Sequence, residues 1–154
     1  MTDSLTPRLS VRAVVYDAQG RLLLAAHQGP RGPWYVLPGG GVDHNETLHE
    51  AVVREVLEET GLRVTPADVL FVREVMADRQ VSSLPVGFHQ VEVFVQCTPT
   101  GARAQATNPD PDQVGITWMP VDELCEHTVY PRDWLQELGS RHYTARYKPP
   151  RLKG

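Results

Sequence analysis

Residues 41–62 read GVDHNETLHEAVVREVLEETGL and follow directly on Pro38-Gly39-Gly40. The apolar spacing predicts a helix over 46–60, with Asn45 as its N-cap and Gly61 as the residue that stops it. At ~100° per residue, Val52, Val53, Val56 and Leu57 share an arc that can pack on a sheet. Glu55, Glu58 and Glu59 fall in a separate arc about 100° wide. Carboxylates so crowded repel one another, and in the last turns the helix dipole disfavours each by roughly 0.3–1 kcal/mol. A helix built only for stability would not carry them. A bound dication reverses the sign of the problem, because hard oxygen ligands suit Mg2+. The plainer account, a solvated acidic face with pairs such as Glu50 to Arg54, serves for three glutamates taken alone.

Working outward, residues 9–16 (LSVRAVVY) and 21–26 (RLLLAA) read as strands joined by the Asp17-Ala18-Gln19-Gly20 turn. A loop over 27–33 leads to a short strand at 34–37, which runs into the Pro-Gly-Gly turn. Beyond the helix, strands are predicted at 69–76, 91–97 and 116–119, with loops over 77–87 and 98–112. A helical turn at 121–126 and a helix at 131–138 stopped by Gly139 complete the pattern. Neither an internal repeat nor a domain linker interrupts it. One domain over 1–146 is expected, followed by a basic, Pro-containing tail at 147–154 that is poorly ordered.

The 154 residues suffice for one hydrophobic core, and 41% hydrophobic with 22% charged residues is ordinary for a globular chain. Charge is uneven. Arg141, Arg146, Lys148, Arg151 and Lys153 stand in the last fourteen residues without an acid, leaving ten bases against nineteen acids, −9, in the body. Such a body argues against a nucleic-acid polymer as partner, which would want a basic face. Cys97 and Cys125 lack zinc-site spacing, and neither a signal peptide nor a long apolar run is present. A soluble, cytoplasmic protein without membrane contact is the expectation.

The full spacing is Gly40, five residues, Glu46, seven residues, Arg54-Glu55-Val56, one residue, Glu58-Glu59, one residue, Gly61-Leu62. Chance would produce it in about one chain in 10^7 of this length. The pattern resembles the complete signature box of the Nudix hydrolase family. The flanks agree, with a strand before Pro-Gly-Gly and a strand holding Trp118 near the C-terminus. The resemblance implies an α/β protein of the Nudix fold, an α/β/α sandwich with a mixed β-sheet. It also implies an Mg2+-dependent pyrophosphohydrolase, with Mn2+ as an alternative ion, cleaving a phosphoanhydride bond of a nucleoside diphosphate linked to another moiety.

By that resemblance the Gly39 carbonyl ligates metal beside Glu55, Glu58 and Glu59, and Arg54 orients the catalytic glutamates. Glu46 braces the loop-helix-loop, with Gly40 and Gly61 shaping its ends. The general base would be Glu55 or Glu58, or an acid in the loop 108–113, where Asp110 and Asp112 are the candidates. Relatives often carry a glutamate near Gln113, and commonly Glu-x-Gly-Glu where this chain has Asp43-His44-Asn45-Glu46. Asn tolerates the left-handed conformation nearly as glycine does, so the turn is expected to survive.

Substrate choice in this family is set outside the box. Arg12, mid-strand, can meet a phosphate or a base edge, and Trp34 and Tyr35 can stack on a base, with Asp110 as a further contact. The proline that marks some ADP-ribose hydrolases and the tyrosine of dinucleoside polyphosphate hydrolases are both missing at Met76, Ala77 and Asp78. A nucleoside triphosphate, oxidised ones included, is the favoured small-molecule substrate, with ADP-ribose or a nucleotide sugar as the alternative. A non-catalytic nucleotide sensor would have lost box glutamates, and an isoprenoid diphosphate isomerase would set its cysteine in a different motif. Family members frequently form homodimers, which is expected here by analogy alone.

Overall fold

The computed structural model describes residues 6–80, 83–101, 109 and 111–154. Its elements are β1 (Arg8–Val15), β2 (Leu22–Gly29), β3 (Gly32–Val36), β4 (Gly39–Gly41), α1 (Leu48–Thr60), β5 (Val64–Met76), β6 (His89–Pro99), β7 (Gln113–Met119), a 3-10 turn (Val121–Glu126), β8 (Val129–Tyr130), a 3-10 turn (Arg132–Trp134) and α2 (Leu135–Ser140). The strands form two four-stranded sheets, ordered β4-β1-β6-β5 and β7-β2-β3-β8. Both are mixed, since β1 runs parallel to β6 and β8 parallel to β3 while the other pairings are antiparallel. The expected mixed sheet is therefore divided in two.

Side-chain alternation along the strands builds a core on each side. Val11, Ala13 and Val15 of β1, Val93, Val95 and Cys97 of β6 and Leu23 of β2 meet Ala51, Val52 and Val56 of α1. Each such valine contributes roughly 1.5–3 kcal/mol on full burial. Val14, Leu22, Leu24, Phe71 and Phe94 face the other way, onto Leu124, Trp134, Leu135 and Leu138. Phe71 stacks between Phe94 at 4.2 Å and Trp134 at 3.8 Å. Helical elements on both sides of strands make the α/β/α arrangement. Among the described residues no helix is long and apolar enough to cross a membrane.

Several local expectations are corrected. Asn45 is not the N-cap. It takes the left-handed conformation, φ 64°, which excludes the extended backbone of a cap, and the helix starts two residues later than predicted. Thr47 caps it instead, accepting from the Glu50 amide at 3.0 Å while Glu50 accepts from the Thr47 amide at 2.9 Å. Residues 39–41, read as a turn, are a strand paired with β1, Gly39 opposite Arg12. The late helix is shorter than 131–138 at its start and runs through Gly139, ending at Arg141 with φ 59°.

The start of the tail, Tyr147 and Lys148, is held against the fold rather than loose. The Val72 amide donates to the Arg146 carbonyl at 2.9 Å, Tyr147 pairs with Val72, and its hydroxyl donates to Glu74. Lys148 bonds Glu137 at 2.6 Å and lies over the Trp134 ring. These contacts satisfy backbone groups that the edge strand β5 would otherwise leave open.

Candidate active site

Arg54 stands at the centre of the box. Its Nε donates to Glu46 Oε2 at 2.7 Å and its Nη2 to Glu46 Oε1 at 2.8 Å, a fork across eight residues. Nη2 also reaches the Gly41 carbonyl at 3.1 Å, and Nη1 reaches Glu55 Oε1 at 2.9 Å and Glu58 Oε2 at 3.4 Å. One guanidinium thus ties the loop before α1 to two box glutamates on it. The Arg54 bonds, helped by the Asp43 amide, hold the Glu46 carboxyl down to about 2. In return Glu46, ahead of Glu55, raises the Arg54 pKa further above its already high value.

The glycine strand is shaped around these groups. A Cβ on Gly40 would stand 2.6 Å from the Glu55 carboxylate, and one on Gly39 only 2.0 Å from the Val11 carbonyl oxygen. Glu59, 2% exposed, accepts the Gly39 amide at 3.0 Å. Gly61, φ 74°, ends the helix by donating to Leu57. The predicted box residues Gly39, Gly40, Glu46, Arg54, Glu55, Glu58, Glu59 and Gly61 are therefore brought together by β4, the loop after it, and α1 with its cap.

The donor set consists of carboxylate and carbonyl oxygens, and a side-chain-free floor at Gly40 receives the Glu55 carboxylate. That chemistry fits a hard divalent cation held by Glu55, Glu58, Glu59 and the Gly39 carbonyl. Among the described residues no three Asp, Glu, His or Cys side chains already close into a metal cage. Arg54 sets a positive charge between Glu55 and Glu58.

Residues predicted outside the box are more dispersed. Asp112 is exposed, and it is Gln113 whose side-chain amide reaches the box helix, donating to the Glu59 carbonyl at 2.9 Å. Asp110 lies outside the described residues. Trp34 stacks on buried His27 at 4.1 Å and meets Tyr130 edge-on, while Tyr35 meets His127 edge-on. Arg12 is half-buried, bound to Glu92 and to the Leu37 carbonyl. Sequence reasoning missed Gln113 as a box contact, along with Glu92. A signal for Glu92 existed, because Gln90 and Glu92 alternate with Val91, Val93 and Val95 and so place polar groups on one buried face.

The NUDIX domain model matches residues 6–147. The chain is 33% identical over 118 residues to a MutT-like protein of Streptomyces ambofaciens, covering 77% of this chain and 67% of that protein. It is 45% identical over 67 residues to an RNA pyrophosphohydrolase of Coxiella burnetii, covering 44% of this chain and 28% of that protein. Across the first curated relatives, the match spans between 27% and 67% of their length. A NUDIX hydrolase structure from Nitrosomonas europaea has the same fold, with a TM-score of 0.72 over 92% of this chain and 93% of that one at 23% identity. Such hydrolases generally use divalent metal ions. With the family model running over nearly its whole length and the box glutamates all in place, the chain belongs to the Nudix hydrolase family.

Proposed function

We propose that the chain is an Mg2+-dependent pyrophosphohydrolase cleaving a phosphoanhydride bond of a nucleoside diphosphate linked to another moiety. A nucleoside triphosphate, oxidised ones included, is the favoured substrate. The observation that carries the reading is the Arg54 hold on Glu46, Glu55 and Glu58, which sets Glu55 against the glycine strand with Glu58 on the same guanidinium nitrogen. Carboxylates placed for packing alone would not be gathered on one cation beside an edge that a phosphate can approach.

When bound, a divalent cation neutralises phosphate charge and lowers the pKa of a coordinated water. The residues of this chain do the positioning. Glu55 is fixed by Gly40 and Arg54, and Glu59 by the Gly39 amide. Glu58 has the longer contact to Arg54 and is the more exposed of the pair, 27% against 15%. It is the carboxylate we assign to accept the proton of the attacking water. Asp112, one residue from Gln113, is the competing base.

A hydrolysis screen tests the reading. It covers nucleoside triphosphates, oxidised nucleotides, ADP-ribose, nucleotide sugars, dinucleoside polyphosphates and a 5′-triphosphorylated RNA oligonucleotide. Turnover of one class, abolished by EDTA and by Glu58→Gln but kept in Asp112→Asn, supports both the enzyme and its base. Nucleotide binding without turnover across the panel points to a sensor instead.

A further inference from the structure

The face of the first sheet turned away from α1 carries a row of polar side chains beside its aromatic core. Val11, Ala13 and Val15 of β1 turn toward α1, so Ser10 and Arg12 turn the other way. On β6 the same alternation sends Gln90 and Glu92 to that face. Ser10 stands opposite Glu92, and Glu92 opposite Arg73 of β5. Ser10 is 1% exposed, Glu92 5% and Gln90 6%.

Glu92 is fully engaged. Its Oε1 accepts Arg73 Nη1 at 2.9 Å, and its Oε2 accepts Arg12 Nε at 3.2 Å and Gln90 Nε2 at 3.0 Å. Arg12 Nη1 donates to the Leu37 carbonyl at 2.9 Å, and Arg73 Nε to Asp133 at 3.3 Å. A buried carboxylate between two guanidiniums is weak as a stabilising device, since apolar residues of similar volume often serve the fold as well.

Two observations point outward to a ligand. The Ser10 hydroxyl is buried on this face and has no hydrogen-bond partner among the described residues. Arg12 has committed Nε and Nη1, which leaves Nη2 with no hydrogen bond among the described residues, and its stem lies against Gly39, 2.9 Å from where a Cβ would be. On this face Gly39 receives the Arg12 stem and Gly41 the Arg8 guanidinium, and Glu55 rests on Gly40 on the other. Because β4 is the sheet edge, a phosphate chain at the box glutamates can pass over it and set its far end beside Arg12.

We infer that Arg12 binds the substrate phosphate distal to the cut, and that Glu92 is the positioning residue that holds the Arg12 guanidinium for it. The ligand identity rests on the hydrolase reading above. The clamp rests on its own geometry.

Inorganic pyrophosphate is the probe, with binding followed by calorimetry in EDTA so that the box carboxylates hold no cation. Wild type is expected to bind it. Arg12→Ala should weaken binding about tenfold or more, the loss expected for a charge-assisted contact. Arg12→Lys should fail to restore it, because lysine lacks the planar fork. Arg73 still pairs Glu92 in both variants, so the fold has a partner for the buried charge. Glu92→Gln should weaken binding comparably and add nothing in the Arg12→Ala background, as for a residue that acts through another.

Unchanged pyrophosphate affinity in Glu92→Gln, with only a lower melting temperature, would reduce Glu92 to a structural role and overturn the inference. So would wild type that ignores pyrophosphate, or Arg12-dependent binding of guanosine in its place. If the expected pattern holds but the hydrolysis screen is blank, the enzyme reading falls and the clamp stands. If turnover is found and Arg12→Ala leaves KM unchanged, the clamp falls and the enzyme stands.

Discussion

Arg54 and Glu46 form a two-pronged bond, 2.7 Å and 2.8 Å, that closes the loop over 41–47 onto the middle of α1. The remaining nitrogen of the same guanidinium holds Glu55 and Glu58. Loop geometry and carboxylate placement therefore depend on one planar cation.

Arg54→Lys keeps the charge and loses the fork. A displacement near 1 Å at reacting groups costs about 10^2-fold in rate, so kcat is expected to fall by about that factor. Losing a charge-assisted pair should lower stability by roughly 1.5–3 kcal/mol. Steady-state kinetics and urea melts check both, and wild-type kcat in the lysine variant would refute the orienting role.

Neighbouring glycines should respond differently to one added methyl. On Gly39 it meets the Val11 backbone at 2.0 Å, which cannot yield without separating β4 from β1. On Gly40 it meets the end of the Glu55 side chain at 2.6 Å, which can swing away. Gly39→Ala is expected to unfold well below wild type. Gly40→Ala should melt within a few degrees of it, about 1 kcal/mol, yet lose most activity. Equal melting temperatures for the two variants would contradict this.

Acid should release the Glu46 bond. Its pKa is lowered from 4.5 to about 2 in the fold, so the stability it contributes is complete above its unfolded pKa. That contribution is lost as pH falls from about 4.5 through about 2. The stability difference between wild type and Glu46→Gln is expected to shrink across that window in urea melts at successive pH. A difference constant with pH would mean the bond contributes nothing.

The two thiols should react unequally. Burial pushes Cys97 up to about 12, so it holds almost no thiolate at neutral pH, whereas Cys125 is exposed. Iodoacetamide followed by peptide mass spectrometry is expected to label Cys125 in the native protein and Cys97 only after unfolding.

Much of this was legible in the order of residues. Helical spacing and strand alternation were enough to place β1, β2, β6 and α1 to within a few residues, because those periods record which side chains are buried. The box spacing located Glu55, Glu58 and Glu59 because three like charges on one helix arc oppose its stability. Asn45 in the left-handed turn followed from its short polar side chain. The true cap was also written, as Thr47-x-x-Glu50, but Asn45 competed for the role until its backbone conformation excluded it.

By itself the sequence determined the local periods, the glutamate arc and the family, all of which depend on residues close together along the chain. Tertiary structure alone decided that Gln113 reaches Glu59 across 54 residues and that Glu92 joins Arg12 across 80. It also decided that Arg146 and Tyr147 seal β5 rather than trail into solvent. Such contacts depend on which strands become neighbours and on the open backbone groups that an edge presents. No period along the chain encodes either.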